Sequence, residues 1–156
     1  MIQIQIETDP KLIFPVKDVC SSILKKVFSD QNISDAELTL IFGNDELLAK
    51  LKKEYFGKEH PTDVIAFRLN DESKKQIEGE IYISLPRAKE NAQRFNEPFE
   101  KEISRLIIHG SLHLIGYIDN TSVSKNKMTA LEDHYLGNIN WKNILPSKKE
   151  IINEKR

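Results

Sequence analysis

The centre of the fold is predicted by residues 105–120, which read RLIIHGSLHLIGYIDN. Between residues 106 and 115 the polar side chains are confined to His109, Ser111 and His113. Apolar residues on nearly every side are typical of a helix that runs through the protein interior. Gly116 then permits the left-handed turn that ends a helix, so the chain can fold back after it. The sequence therefore predicts a buried helix followed by a tight turn.

Two histidines on this helix and one aspartate beyond it have the spacing of metal ligands. His109 and His113 are four residues apart, which places them on one helix face with Cβ atoms about 5–6 Å apart. Asp119 follows Gly116 by three residues and can bring a carboxylate to the same point. This donor set favours one zinc ion, with nickel, cobalt or iron as competitors, and leaves the open position of a catalytic site. The alternative is that both histidines are hydrogen-bonded core residues.

The rest of the chain alternates strand-like and helix-like segments. Strands are predicted at 2–6, 36–42, about 64–67 and 79–84, and helices at 16–29, 45–55, 86–95, 99–115 and 124–136. This order predicts an α+β fold, in which a single layer of small mixed β-sheet with about four strands is packed with about five helices. We expect residues 1–145 to form a single domain, with the metal site on the buried helix and the following turn. Residues 146–156 are expected to form a polar, frayed C-terminal tail.

Composition limits the possible compartments and partners. The chain has 156 residues, of which 39% are hydrophobic and 30% charged, and its formal net charge is −1. That charge argues against strong nonspecific binding to a polyanion, but it leaves RNA open as a substrate because a local basic wall can be offset elsewhere. The single cysteine excludes a disulfide framework, and no apolar run approaches the ~20 residues of a membrane span. We expect a cytoplasmic protein without a signal peptide or a membrane partner, and the sequence predicts no particular oligomeric state.

The offsets around His109 also occur in one class of zinc peptidases. These enzymes carry H-x-x-x-H-x-x-G-x-x-H, with histidine at the place of Asp119 and glutamate directly after the first histidine. That glutamate is the general base of the peptidase, and Gly110 stands in its place here. A zinc peptidase-like hydrolase is therefore the second interpretation.

Four blocks of the chain, in the same order, resemble the YbeY family of ribosomal RNA maturation factors, described as metal-dependent endoribonucleases. The family motif H-G-x-L-H-L-x-G-Y-D-H is similar to residues 109–119, which read HGSLHLIGYID. The other blocks are PTDVIAF at 61–67, similar to P-T-D-V-L-S-F, GEIYIS at 79–84, similar to G-D-I-x-I-S, and Met128, Glu132 and Leu136, similar to M-x-x-x-E-x-x-x-L. The resemblance covers residues 51 to 136, more than half of the chain.

The resemblance implies a single-strand-specific endoribonuclease, a metal-dependent hydrolase. Its expected work is the maturation of the 3′ end of 16S ribosomal RNA and ribosome quality control, with a zinc-activated water hydrolysing the phosphodiester. Its expected partners are a ribosomal RNA precursor and the ribosome or its small subunit. No side chain is singled out as a catalytic base, because metal-bound water can suffice. A non-catalytic ribosome assembly factor, in which the metal holds the fold, is a further alternative.

Two positions depart from the family pattern. The third ligand of the family is usually histidine, and Asp119 stands there in this chain. A carboxylate is an acceptable zinc ligand, but its charge makes the ion a weaker Lewis acid and raises the pKa of the bound water. Many members also carry arginine after tyrosine in the loop before P-T-D. This chain has Phe56 after Tyr55, and Lys58 is the nearest candidate to compensate.

Substrate contacts are expected from side chains on neighbouring elements. The candidates are Lys58, Thr62, Asp63, Arg68 and Arg87, with Arg94 on the same helix as Arg87. The cations would hold phosphate, whereas Thr62 and Asp63 would position water or shape the cleft. Each arginine has the alternative interpretation of an ordinary surface residue, and Asp63 has that of an acceptor at a turn or a strand end.

Overall fold

The computed structural model describes residues 1–147, and the helices and strands predicted from the sequence are present there. The strands are β1 (Ile2–Thr8), β2 (Ala36–Gly43), β3 (Val64–Arg68) and β4 (Ile77–Ser84). The helices are α1 (Lys17–Asp30), α2 (Asp45–Phe56), α3 (Leu85–Phe95), α4 (Phe99–Ile115) and α5 (Ser122–Leu136), followed by a 3-10 turn at Trp141–Asn143. Most of the predicted polar tail, residues 148–156, lies outside the described residues. Within residues 1–147, no helix is long and apolar enough to cross a membrane.

The strands of the described chain form one mixed sheet in the order β1-β2-β4-β3. Strands β1, β2 and β4 run parallel, whereas β3 pairs antiparallel with β4. Ile6, Leu40 and Ile81 lie in register across the three parallel strands, and all three are buried. Parallel neighbours need a crossover connection, which α1 provides between β1 and β2. The α+β class is confirmed, although β4 begins at Ile77, two residues before the predicted start.

Helix α4 packs directly on the sheet and contacts α1, α3 and α5 as well as β3 and β4. Glycines on both sides of this contact let the helix and the sheet approach closely. A Cβ atom on Gly110 of α4 would lie 2.7 Å from Cγ2 of Ile81, and one on Gly79 of β4 would lie 2.8 Å from Cδ1 of Leu114. The prediction of a helix that runs through the interior is confirmed.

Side-chain caps and one glycine set the helix ends near the site. The side chain of Asn44 accepts a hydrogen bond from the amide of Leu47 at the start of α2, and the hydroxyl of Ser84 accepts one from the amide of Arg87 at the start of α3. Such caps satisfy amides that have no partner within the helix. Gly116 ends α4 with a φ of 120°, a conformation that favours glycine. The predicted turn after the buried helix is therefore present.

Cys20, the only cysteine of the chain, is buried in α1. Burial raises the pKa of its thiol to about 12. The group therefore stays protonated and packs as a small apolar side chain rather than serving as a nucleophile.

Candidate metal centre and cleft

The three side chains predicted as metal ligands converge at one point of the structure. His109 and His113 project from one face of α4, and Asp119 lies in the loop between α4 and α5. The two Nε2 atoms are 3.1 Å apart, and Oδ2 of Asp119 lies 3.5 Å from each of them. The side chains are 22%, 31% and 36% exposed, respectively. The point where they meet is therefore open to solvent.

The separations of these ligand atoms are close to those around a tetrahedral metal ion. A tetrahedral ion with bonds of ~2.0–2.1 Å holds its ligand atoms about 3.3–3.4 Å apart, close to the separations observed here. Two deprotonated Nε2 atoms would repel each other at 3.1 Å. A proton on one nitrogen, or a cation shared by all three groups, relieves that repulsion. The residues therefore fit one divalent ion, and two imidazoles with a carboxylate suit zinc.

Glu132 on α5 fixes the orientation of His109 from behind. Nδ1 of His109 donates a hydrogen bond of 2.7 Å to Oε2 of Glu132, which leaves the Nε2 lone pair facing the other two ligands. Glu132 is buried, and its second oxygen accepts a hydrogen bond of 3.1 Å from Arg105. A carboxylate behind a metal-binding histidine fixes the tautomer of the ring and raises its basicity.

Burial and neighbouring charges move the pKa values of the two histidines in opposite directions. Burial lowers the pKa of His109, but the hydrogen bond and charge of Glu132, followed by the charges of Asp119 and Asp63, raise it above its ordinary value. The pKa of His113 is lowered, because burial and then the neighbouring His109 disfavour its charged form more than Asp119 favours it. His113 is thus biased toward the neutral imidazole, the form that binds metals.

The loop that carries Asp119 is anchored on both sides. Before it, the hydroxyl of Tyr117 donates a hydrogen bond of 2.8 Å to Oε1 of Gln31, the residue that follows α1. After it, Thr121 and Ser124 form a capping box at the start of α5. These anchors restrict the loop and hold Asp119 facing the two histidines.

His109 and Asp119 of the cluster line a cleft of about 620 Å³, a volume typical of small-molecule sites. Helices α3, α4 and α5 and the segment that leads into β3 line this cleft. Besides His109 and Asp119, its polar and aromatic lining includes Asp63, Asn91, Phe95, Glu102, Lys125 and Thr129.

Asn91 joins two carboxylates within the cleft. Its Nδ2 donates to Oδ2 of Asp63 at 2.9 Å and to Oε2 of Glu102 at 3.1 Å. Burial raises the pKa of Glu102, and the hydrogen bond from Asn91 opposes that shift. The arginine and lysine in the lining are Arg105 and Lys125, so acidic groups outnumber these cations.

Of the five predicted substrate contacts, Asp63 lies in the lining of the cleft, and the other four lie outside that lining. Lys58 is exposed in the loop between α2 and β3. The hydroxyl of Thr62 donates to the carbonyl of Val64 at 3.3 Å. The roles of these residues in substrate binding stay predictions.

The two arginines among the predicted contacts are bound within the fold. Arg68 donates hydrogen bonds to the side chain of Asn70 and to the carbonyls of Asp71, Lys74, Gln76 and Leu114. It thereby ties the segment before β4 to the end of α4. Arg87 forms an ion pair of 2.9 Å with Asp45, which joins α3 to α2.

Glu132, Asn91 and Glu102, which support the site, had no role predicted from the sequence. Glu132 carried a signal, because it lies four residues from Met128 and four from Leu136, on the buried stripe of α5. A charged side chain on a buried stripe needs a partner. Asn91 and Glu102 gave no comparable signal, because their contact joins two different helices.

The fold and the site together define a class of protein: a small α+β domain whose central helix and following loop present a His–His–Asp cluster that could hold a metal ion. Comparison with known families shows which family of such domains the chain belongs to. The chain belongs to the YbeY family, because the family model described as Endoribonuclease YbeY matches residues 3–140. It is accordingly an endoribonuclease, a hydrolase that acts on RNA.

Individual relatives match most of the chain. The Endoribonuclease YbeY of Chloroherpeton thalassium is 38% identical over 113 residues, which cover 72% of this chain and 79% of the relative. That of Flavobacterium psychrophilum is 37% identical over 140 residues, covering 87% and 94%. The solution structure of TM1509 from Thermotoga maritima has a TM-score of 0.59 and 28% sequence identity, covering 87% of this chain and 91% of that protein. The solved neighbour therefore shares the fold.

Proposed function

We propose that this endoribonuclease is single-strand-specific, binds one zinc ion through His109, His113 and Asp119, and processes ribosomal RNA in the cytoplasm. The observation that carries the metal assignment is the convergence of three ligand atoms, none more than 3.5 Å from another, in an open cleft. The proposed ribosomal roles are maturation of the 3′ end of 16S ribosomal RNA and ribosome quality control. They rest on the family resemblance, which also names the RNA precursor and the small subunit as partners. Nickel or another divalent ion is the alternative occupant of the site.

Each residue of the cluster has its own part in the proposed reaction. His109, His113 and Asp119 would hold the ion, which would supply a Lewis acid for activating water and for offsetting the negative charge that develops at phosphorus. Glu132 keeps Nδ1 of His109 engaged, so that Nε2 stays available to the cluster. Asp119 adds a negative charge that a histidine ligand would lack, which lowers the net charge of the loaded site. Lys125, exposed on α5, presents an ammonium group to the RNA backbone.

The shape of the cleft supports a single-stranded substrate. The cleft that His109 and Asp119 line together with residues of α3 and α5 has a volume of about 620 Å³, which matches a small molecule rather than a double helix. A single strand can turn individual nucleotides outward into such a space, whereas duplex RNA keeps its bases stacked and is recognised mainly by shape.

Among the predicted substrate residues, we assign Asp63 to the cleft itself, and Lys58 and Thr62 to its approach. Arg68 and Arg87 support the surrounding elements through the bonds described above. One hydrophobic core joins the sheet to the helices, which supports a single domain over residues 1–145.

The peptidase interpretation gains no support from the structure. Gly110 faces Ile81 so closely that an added Cβ would meet it at 2.7 Å, so that position leaves no room for the glutamate of the peptidase motif.

RNA cleavage by the metal-loaded protein distinguishes the proposed enzyme from an assembly factor with a structural metal. The assembly factor would need the metal for stability but would cleave no RNA when loaded.

Cleavage of single-stranded RNA tests the proposal. The substrate is a strand that spans the 3′ end region of a 16S precursor, compared with the same strand annealed to its complement. The zinc-loaded protein is expected to cut the single strand, to lose activity after chelation and to regain it with about one equivalent of zinc. The duplex is expected to be cut far more slowly, and a peptide mixture is expected to stay intact. Cleavage that survives complete removal of metal would contradict the proposal, and equal cleavage of the duplex would contradict its strand preference.

A further inference from the structure

Phe95, the last residue of α3, is an exposed aromatic side chain in the cleft of the His–His–Asp cluster. It is 66% exposed. Tyr55 and Phe56, which are also exposed, pack their rings against Phe67. Among residues 1–147, however, no aromatic ring packs on Phe95. A phenyl ring left in water within a cleft is a surface on which a flat ligand gains apolar contact.

The neighbours of Phe95 in the cleft are acidic. Asn91 lies four residues earlier on the same face of α3, and its amide binds the carboxylates of Asp63 and Glu102. Glu102 lies seven residues before His109 on α4, which is about 10 Å along the helix axis. Glu102 is therefore distant from the metal cluster, whereas Asp63 is close enough for its charge to act on His109.

The guanidinium of Arg105 offsets the charge of Glu102 only in part, because it is paired with two acids on α5. It forms ion pairs of 3.1 Å with Glu132 and 2.8 Å with Asp133, both on α5. A phosphate placed near Asp63 and Glu102 would therefore meet repulsion.

A nucleobase, unlike a phosphate, can interact favourably with Phe95 and with these carboxylates. Unpaired bases are commonly held by stacking on aromatic side chains, and any base can stack. A carboxylate offers about four acceptor sites, and Asn91 uses one on each partner. The free sites can accept hydrogen bonds from an exocyclic amino group, which cytosine, adenine and guanine carry; uracil presents a carbonyl at the position where cytosine has its amino group.

We propose that this part of the cleft is a nucleobase subsite. Phe95 stacks an unpaired base of the RNA, and Asp63 and Glu102, joined by Asn91, accept a hydrogen bond from the amino group of that base. The subsite holds a base that neighbours the phosphate at the metal cluster, and it prefers cytosine to uracil. This inference rests on the proposed function in that it takes a single RNA strand as the occupant.

Binding of short strands that resist hydrolysis tests the subsite. The probes are dye-labelled tetranucleotides of cytosine or of uracil with uncharged methylphosphonate linkages, titrated into the zinc-loaded protein and followed by fluorescence anisotropy. The wild type is expected to bind the cytosine strand about tenfold more tightly, the scale of one hydrogen bond to a charged acceptor. Phe95→Ala is expected to weaken both strands at least about fivefold, the low end of base stacking, whereas Phe95→Tyr retains affinity.

Two further variants make the test specific. Phe14→Ala removes a phenyl ring that is also exposed, at 43%, but lies outside the cleft lining, and it is expected to leave both affinities unchanged. Glu102→Gln should shift the preference toward uracil, because its amide oxygen would accept from Asn91 and its amino group would face the base.

Unchanged binding by Phe95→Ala would overturn the subsite, and so would equal affinity of the wild type for the two strands. Melting temperatures are recorded for each variant, and the exposure of Phe95 makes a folding defect in its variants unexpected. The probes resist hydrolysis, so binding is measured whether or not the protein cleaves RNA. If the protein showed the base preference but cleaved no RNA, the proposed function would be contradicted and the subsite would be supported.

Discussion

His113→Ala is expected to lose metal and to reduce cleavage of single-stranded RNA by at least about a hundredfold, because metal ions contribute several kcal/mol of charge stabilisation in the transition state. The substitution removes one of three converging ligand atoms, whose partners lie 3.1 and 3.5 Å away. The remaining histidine and carboxylate leave the ion with too few protein ligands for a stable site. Cleavage rates and metal content of the same preparation measure the effect.

The matched control for this variant is His60→Ala. His60 is an exposed histidine outside the cleft lining, so this change removes the same side chain without touching the cluster. We expect it to retain both metal and cleavage, and the melting temperatures of both variants show whether each is folded. Undiminished cleavage by metal-free His113→Ala would contradict the proposed mechanism.

Gly110→Ala is expected to destabilise the protein by about 1–3 kcal/mol, the usual cost of overpacking a core. Its Cβ would lie 2.7 Å from Cγ2 of Ile81 and 3.3 Å from Cγ1. The Cγ2 methyl group of Ile81 is attached to the branched Cβ of a buried strand residue and cannot easily rotate away. Helix α4 must therefore move away from β4. Alanine gains about 1 kcal/mol over glycine in a helix, which offsets only part of this strain. Chemical denaturation measures the difference in the free energy of unfolding.

Gly137→Ala, just after α5, is the control for this prediction. The atom nearest to a Cβ there would be the carbonyl oxygen of His134 at 3.5 Å, and Gly137 has a φ of −73°, which any residue adopts. We expect its stability to be unchanged or slightly raised, because alanine restricts the unfolded chain. Equal stability of the two variants would contradict the prediction, because it would show that a Cβ at position 110 causes no strain between α4 and β4.

Local patterns in the sequence were sufficient to predict the central helix and the convergence at its end. The apolar stretch around His109 and His113 required burial, their spacing placed both imidazoles on one face, and Gly116 allowed Asp119 to return to them. Alternating apolar residues likewise predicted the strands. Each of these inferences depends on residues close together in the chain, where periodicity and turn chemistry are informative.

Contacts between distant segments could not be predicted from such local patterns. The place of β4 between β2 and β3 depends on how whole strands pack rather than on their own residues. Arg68 donates hydrogen bonds to five oxygen acceptors within the fold. The sequence did not distinguish it from an arginine that is free to bind phosphate. The bond between Glu132 and His109 joins two helices, and neither the charge of Glu132 on a buried stripe nor its place in the family motif indicated that His109 is its partner.

The metal content of the purified protein tests the claim that His109, His113 and Asp119 bind one divalent ion. Elemental analysis of the purified wild type is expected to give about one equivalent of zinc or a similar ion. Asp119→Ala, which removes the carboxylate 3.5 Å from both Nε2 atoms, is expected to lose the ion or bind it much more weakly. A wild type that holds no metal even after reconstitution would contradict the claim, and the two histidines would then be hydrogen-bonded residues of the core.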